Sequence, residues 1–347
     1  MSSEFDKVWL ITGIGGQDGS TFADMLLVLG YNNVHGIIRR SAVFNTQNID
    51  HIFSNLKLHH GDLTDPMCIH KIIERVKPDY ICNFAAMSHV AVSEELQKYT
   101  FEVNTLGILN ILQSVKSLNL SSTCKIYHAS TSEEFGNETD GSTLLNELSR
   151  KTPVSVYGIA KLAAENLCNM YKNAFGMFIV TSTLFNHEGP RRGKTFVTQK
   201  VCYHVAELNR YPNTTRPLQL GNLYSRRDWG YCGDYMEAVY KMLMMDTPDN
   251  YVIATGETHS VKEFCELSFE YIGIRISWKG EGLDEVGIDS STGRVLIQVN
   301  KEYYRPIDIE CLIGDASKAK HQIGWEPKTT FERLVEIMTK AALRSEN

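Results

Sequence analysis

Short apolar, β-branched runs alternate with longer segments of helical spacing through the first half of the chain. Val8 to Ile11, Val34 to Ile38, Lys57 to His60, Tyr80 to Phe84, Lys125 to His128 and Met177 to Leu184 read as strands. Between them the spacing predicts helices over roughly Ser20 to Leu29, Asp65 to Val76, Thr105 to Leu118 and Val156 to Phe175. The third of these carries Leu106, Leu109, Leu112 and Val115 on one face. This rhythm implies the α/β class, a Rossmann-like doubly wound parallel sheet covered on both faces. After residue 185 the regularity fades. Gly189-Pro190-Arg191-Arg192-Gly193 and Tyr211-Pro212-Asn213 interrupt shorter elements there. We read 5–185 as the Rossmann domain, with a segment near 225–255 returning to it. The stretches 186–224 and 256–347 read as a smaller C-terminal α/β domain.

Composition narrows the function classes. A chain of 347 residues with 43% hydrophobic and 22% charged residues is long enough for a large core and ordinary enough to be globular. Its formal net charge of −6 argues against a nucleic-acid binder, whose footprint would be strongly basic. The eight cysteines are scattered with no C-x-x-C pair, so no metal site is expected and a reducing compartment fits. The acidic start, Met1 to Lys7, does not read as a secretory signal, and no run approaches the ~20 apolar residues of a membrane helix. No membrane partner and a cytoplasmic location are the expectation.

The chemistry begins at Gly13-Ile14-Gly15-Gly16-Gln17-Asp18-Gly19, a glycine-rich turn between the first strand and the first helix. Glycines there permit a tight turn and let backbone amides meet a pyrophosphate at a positive helix N-terminus. Such a turn alone is weak; its place at the start of a doubly wound pattern makes it a dinucleotide site. An NAD enzyme usually puts Asp or Glu about 20 residues past the glycines. Here that place holds Arg39-Arg40-Ser41, and a guanidinium pairs with a 2′-phosphate, so the cofactor read from these residues is NADP. Asp62-Leu63 is placed to hold the adenine edge, and Phe84-Ala85-Ala86 puts small residues where backbone passes the cofactor. Tyr157 and Lys161 share one helix face. Lowering a phenol pKa by ~3 units needs about 4 kcal/mol of preferential stabilisation of the phenolate, which a lysine and a cationic nicotinamide can supply in a dry site. The Thr131 hydroxyl of Ser130-Thr131-Ser132 can hold the substrate oxygen that Tyr157 deprotonates.

These residues resemble the extended short-chain dehydrogenase/reductase superfamily and, within it, the GDP-mannose 4,6-dehydratase family. The similarity extends through Gly61-Asp62-Leu63-Thr64-Asp65, Leu184-Phe185-Asn186-His187-Glu188, Pro190-Arg191-Arg192-Gly193, Arg227-Asp228-Trp229-Gly230 and Tyr303-Tyr304-Arg305-Pro306. The resemblance implies a hydro-lyase that converts GDP-mannose to a 4-keto-6-deoxy sugar through bound NADP, in a deoxyhexose route such as that to GDP-fucose or GDP-rhamnose. Glu133 separates this reaction from plain hydride transfer, since a further group must take the C5 proton and assist loss of the 6-hydroxyl. The catalytic set is then Thr131, Glu133, Tyr157 and Lys161. The resemblance adds Gly16, Gln17, Asp18, Ser88, Tyr99, His187 and Arg192 to the cofactor site. It assigns Ser88, Asn186, Lys200, Gly221, Arg227 and Arg305 to the nucleotide sugar, and it implies homodimers or homotetramers through the Thr105 and Tyr157 helices. Four positions depart from the family pattern. Gly15 stands for threonine, implying a looser turn; Met87 stands for glutamine, and Gly189 for serine. Glu134-Phe135 stands for Leu-Tyr, and on an extended segment Glu134 would point away from Glu133, outside the reaction centre. The competing readings are a nucleotide-sugar epimerase, an NADPH-consuming reductase and a non-catalytic NADP-sensing regulator; a secondary NADPH-dependent reduction of the 4-keto product is also open.

Overall fold

Every residue of the first strand, β1 (Trp9–Thr12), is buried, as a strand paired on both edges and covered on both faces must be. This computed structural model describes residues 4–42, 45–138, 143–213, 216–303 and 311–345. From β1 the chain runs through α1 (Gln17–Val28), β2 (Val34–Ile38), β3 (Leu56–His60), α2 (Pro66–Val76) and β4 (Tyr80–Asn83). Then come α3 (Val90–Glu95), α4 (Gln97–Phe101), α5 (Gly107–Ser117), β5 (Lys125–Thr131), α6 (Val156–Phe175) and β6 (Ile179–Leu184). The second half opens with β7 (Asn186–Glu188), α7 (Val197–Arg210), β8 (Leu218–Leu220), β9 (Arg226–Arg227), β10 (Trp229–Tyr231), α8 (Cys232–Leu243) and β11 (Tyr251–Ile253). It closes with β12 (His259–Ser260), α9 (Val261–Glu270), β13 (Ile276–Lys279), β14 (Val286–Asp289), β15 (Val295–Val299), β16 (Cys311–Leu312), α10 (Ser317–Ile323) and α11 (Phe331–Ser345).

The central sheet has the order β11-β6-β5-β4-β1-β2-β3, and all of its pairings are parallel. This is the doubly wound, Rossmann-like arrangement. Trp9, Phe22, Tyr127 and Met236 form the core on one face, and Ile69, Ile108, Leu112 and Ile126 the core on the other. The chain re-enters this body late, with α8 packed on α1 and β11 paired to β6. The rest of the second half builds a sheet of order β13-β14-β15-β8, whose core gathers Val201, Phe264, Ile297 and Phe331.

Three boundaries differ from the sequence expectation, and each moves site residues. β5 runs on to Thr131, because Ala129, Ser130 and Thr131 continue to pair with β6. α1 starts at Gln17, with extended Gly16 as its N-cap. The helix expected from Thr105 begins at Gly107 and follows a π-turn over Glu102–Leu106 that turns Asn104 inward.

Asp228, between β9 and β10, joins distant segments. Its buried carboxylate accepts from Thr255 N (2.8 Å), Thr255 Oγ1 (2.6 Å), Gly256 N (2.9 Å) and Gly314 N (3.2 Å). Burial pushes this carboxyl up to about 6, while the donors around it favour the charged form. Asp228→Asn would turn an amide N–H toward other N–H groups. The expected cost is about 1–3 kcal/mol, read as a lower urea midpoint at unchanged m value; a wild-type midpoint would contradict this account of the joint.

Candidate active site

The end of β1 is tied to the end of β4. Thr12 Oγ1 donates to Asn83 Oδ1 (2.6 Å) and accepts from Ala85 N (3.1 Å). Gly13 then turns with φ +66°, and a Cβ there would lie 2.8 Å from Ala85 N, so only glycine suits. The expectation of a looser turn at Gly15 is corrected. A Cβ there would stand 2.9 Å from the Asn45 carbonyl, and the Gly15 carbonyl accepts from Asn48 Nδ2 at 2.9 Å. The neighbouring loop closes down on the turn where a threonine would hold it off. Gly16 offers no side-chain cap to α1, and Gly19 packs in the first turn against Gly13 and Ile14. The first amides of α1 are thus left for an anion.

The other cofactor candidates line up away from this turn. Arg39, Arg40 and Ser41 lie exposed just past β2, and Arg39 Nη1 donates to Tyr99 Oη at 2.5 Å. Asp62 Oδ1 accepts from Thr64 N (3.0 Å) and Oγ1 (2.8 Å), and the Leu63 carbonyl accepts from Asn110 Nδ2 (2.7 Å). Phe84, Ala85 and Ala86 follow β4 half-buried, ahead of exposed Ser88. Asn104 pins that loop: its Oδ1 accepts from Met87 N (2.8 Å) and its Nδ2 donates to Met87 O (3.0 Å).

The candidate catalytic residues meet where α6 touches the end of β5. Ser155 caps α6 by accepting from Gly158 N at 3.0 Å, which sets Tyr157 in the first turn and Lys161 one turn on. A Cβ at Gly158 would lie 2.7 Å from the Glu133 carbonyl, so the bare glycine lets the helix press against the Glu133 turn. The Tyr157 hydroxyl is hydrogen-bonded to Thr131. Glu133 N donates to Thr131 Oγ1 at 3.3 Å. Lys161 Nζ donates to the Ala129 carbonyl (2.8 Å) and lies 6.0 Å from the centre of the Tyr157 ring.

Burial dominates the electrostatics of this pair. It pushes the Tyr157 phenol above its usual range, with the charges of Glu133 and Glu134 adding and the Thr131 bond and Arg192 opposing. It lowers Lys161 to about 8, against the pull of Glu134, Asp18 and Cys168. The protein alone therefore holds a neutral phenol beside an ammonium that is easily lost.

The extended backbone expected at Glu133-Glu134 is also corrected. Ser132–Glu134 is a single 3-10 turn and not extended backbone, so alternation does not apply. The Glu134 side chain is fully buried beneath the site, where it accepts from Ser130 Oγ and pairs with Lys151 Nζ at 2.7 Å. Lys151 also meets both oxygens of Glu165 at 2.7 Å. Burial and the Glu165 charge push Glu134 up to about 8, against Lys151 and Ser130. Sequence reasoning missed Lys151, Glu165, Asn104 and Gly158. Of these only Gly158, directly after the tyrosine, carried a signal.

The second half closes the other side. His187 Nε2 meets Asp18 Oδ2 at 3.1 Å, its Nδ1 meets the Phe185 carbonyl at 2.8 Å, and its ring stacks on Tyr235. Gln17 Nε2 donates to Asp18 Oδ1 (3.0 Å) and the His187 carbonyl (3.1 Å). Arg192 Nε lies 3.1 Å from Glu188 Oε2, with the guanidinium over Phe196. Among the described residues Asn186 Oδ1 is buried without a hydrogen-bond partner, a polar atom still to be satisfied. Farther out, Lys200 Nζ donates to the Gln219 carbonyl (2.7 Å) and lies 3.8 Å over the Tyr303 ring, while Gly221 packs on Tyr303 backbone. Arg227 is buried, its Nη1 donating to the Arg226 carbonyl (2.9 Å). Arg305 lies outside the described residues. Among the described residues no cluster of His, Cys, Asp or Glu could hold a metal, and no helix is long and apolar enough to cross a membrane.

A family model described as GDP-mannose 4,6 dehydratase matches residues 10–338. The chain is 46% identical over 344 residues to the GDP-mannose 4,6 dehydratase of Drosophila melanogaster, covering 97% of this chain and 86% of that one. It is 40% identical over 360 residues to the GDP-mannose 4,6-dehydratase of Vibrio cholerae, covering 97% and 94%. Its fold is shared with the UDP-glucose 4-epimerase of Thermus thermophilus in complex with NAD, at a TM-score of 0.80 and 24% identity over 96% of this chain and 98% of that one. With a family model spanning nearly its whole length and relatives this similar, the chain belongs to the GDP-mannose 4,6 dehydratase family.

Proposed function

We propose that the protein is an NADP-dependent hydro-lyase that removes water from GDP-mannose to give GDP-4-keto-6-deoxymannose. The observation that carries this reading is the meeting of Tyr157, Thr131 and the Glu133 turn at one strand end, with Lys161 buried behind them. The glycine turn fits the cofactor's pyrophosphate because Gly13 and Gly15 leave no room for a side chain and the α1 amides are uncapped. Arg39, with Arg40 and Ser41 beside it, is the group for the 2′-phosphate, and Asp18, His187 and Arg192 wall the opposite end. Asn186, Lys200 and Arg227 are the groups for the nucleotide sugar.

Bound NADP⁺ would supply an acceptor for the C4 hydride, a donor of the same hydride to C6, and a positive ring beside the phenol. Tyr157 takes the O4 proton, and Lys161 favours the phenolate by its charge. Thr131 holds O4 in line with the phenol. Oxidation at C4 acidifies the C5 proton, which Glu133 removes and delivers to the departing 6-hydroxyl. Water leaves, the proton that Tyr157 took from O4 is returned at C5 of the product, the cofactor ends as it began, and no external reductant is consumed. Assembly into dimers or tetramers is supported by Leu96, Phe101, Leu106 and Ile159, which stay exposed on and beside α4 and α6.

Two measurements test this. Incubation with GDP-mannose and catalytic NADP is expected to yield the 4-keto-6-deoxy product, and Glu133→Gln to slow it about 10²–10⁴-fold with KM little changed. An epimerised GDP-hexose that has lost no water would overturn the reading. Separately, Arg39→Ala is expected to weaken NADP binding about 10–100-fold while leaving NAD binding alone, as read by calorimetry; equal weakening of both would remove Arg39 from the 2′-phosphate.

A further inference from the structure

We propose that His187 is a standing imidazolium that cancels the charge of Asp18 at the head of α1, so that the uncapped turn receives a dinucleotide pyrophosphate without repulsion from its own carboxylate. This deepens the reading of the glycine turn as the NADP site and rests on it.

The hydrogen bonds of His187 fix its protons. Nδ1 faces the Phe185 carbonyl at 2.8 Å, and a carbonyl oxygen only accepts, so Nδ1 carries a proton. Nε2 faces Asp18 Oδ2 at 3.1 Å, and a carboxylate also only accepts. A neutral ring would set one acceptor against another there; the doubly protonated ring satisfies both contacts. A proton on Asp18 instead is opposed by its own surroundings. Gln17 Nε2 (3.0 Å) and Cys232 Sγ (3.4 Å) donate to its Oδ1, and the first turn of α1 favours negative charge. Burial works against both charges. Even so, Asp18 and the Phe185 carbonyl hold His187 above the usual imidazole range, and His187, Gln17 and Arg192 hold Asp18 far below the usual carboxylate range.

The other groups packed around the pair do not replace His187. Arg192, from the loop after β7, is matched by Glu188 at 3.1 Å, which also accepts from Thr198 Oγ1 at 2.6 Å. From α8, the Tyr235 ring stacked on His187 and the Cys232 thiol beside Asp18 are kept neutral by burial. Burial does the same to Tyr127 of β5. Lys161 of α6 is committed to the Ala129 carbonyl. Among the described residues, His187 is thus the cation in contact with Asp18. Without it, a bare carboxylate would repel the pyrophosphate that the amides of the same turn attract.

His187 is raised in the folded protein, so the ion pair stands below the ordinary imidazole range and is lost as pH rises through the raised value. Asp18 is depressed, so the pair is lost on the acid side only below the ordinary carboxylate range. The test is the NADP affinity of the nucleotide-free protein, read by calorimetry from neutral to alkaline pH. His187→Gln leaves Asp18 unanswered and is expected to weaken NADP about tenfold at neutral pH. The double variant Asp18→Asn/His187→Gln is expected to bind NADP more tightly than His187→Gln alone, a rescue that a merely lost contact would not show. Wild type is expected to lose affinity toward alkaline pH, and Asp18→Asn to lose less of it. Where His187→Gln does not fold, this pH comparison decides. A wild type that binds NADP, with no rescue in the double variant or with the same alkaline loss in Asp18→Asn, overturns the inference alone. Failure of both single variants to fold also overturns it, by making the pair a packing joint. A wild type that does not bind NADP removes the cofactor reading and this inference with it.

Discussion

The close approach of α6 to the end of β5 is the constraint on which the site depends. Gly158 has no Cβ to meet the Glu133 carbonyl, so helix and strand end touch backbone to backbone. That contact brings a phenol from one element within hydrogen-bonding reach of a hydroxyl from another. It also buries Lys161 against the Ala129 carbonyl. A helix set farther out would wet both groups, and the shifts that burial imposes on them would vanish with the desolvation.

Much of this was legible in the chain. The α6 span was readable because its apolar period is long and uninterrupted, and its start is fixed by Ser155 as a side-chain cap. The i, i+4 pair of Tyr157 and Lys161 follows directly from that helix. β5 was read short because Ala129-Ser130-Thr131 carries none of the bulk that marks a strand, yet its pairing with β6 persists. The reading of the Glu133-Glu134 segment as extended fails for a different reason. Strand alternation was carried past Thr131, where a 3-10 turn resets the direction of each side chain.

What remained hidden was the set of contacts made at a distance. Lys151 follows Arg150 in a polar stretch that reads as solvated charge, and nothing local reports its pairing with Glu134 and Glu165. Asn104 sits in a segment of ordinary helical period, but a π-turn there rotates it to grip Met87 from both sides. Both depend on tertiary packing that a window of sequence does not contain.

The same logic explains why the two halves of the chain share one site and not two. Asp18, in the first turn of α1, is held far below the usual carboxylate range: burial opposes this, but His187, Gln17 and Arg192 outweigh it. Gln17 reaches from the same turn to the His187 carbonyl. β7 is therefore fastened to the dinucleotide turn by a half-buried ion pair and a side-chain bond to its backbone, and sliding one past the other would leave a half-buried charge unpaired. The Glu133 turn, fixed to β5, and Asn186, fixed to β7, inherit that rigidity. A reaction that must hold one sugar ring through oxidation, elimination and reduction needs its walls to keep their spacing throughout, and here the spacing is set by charges that cannot separate cheaply.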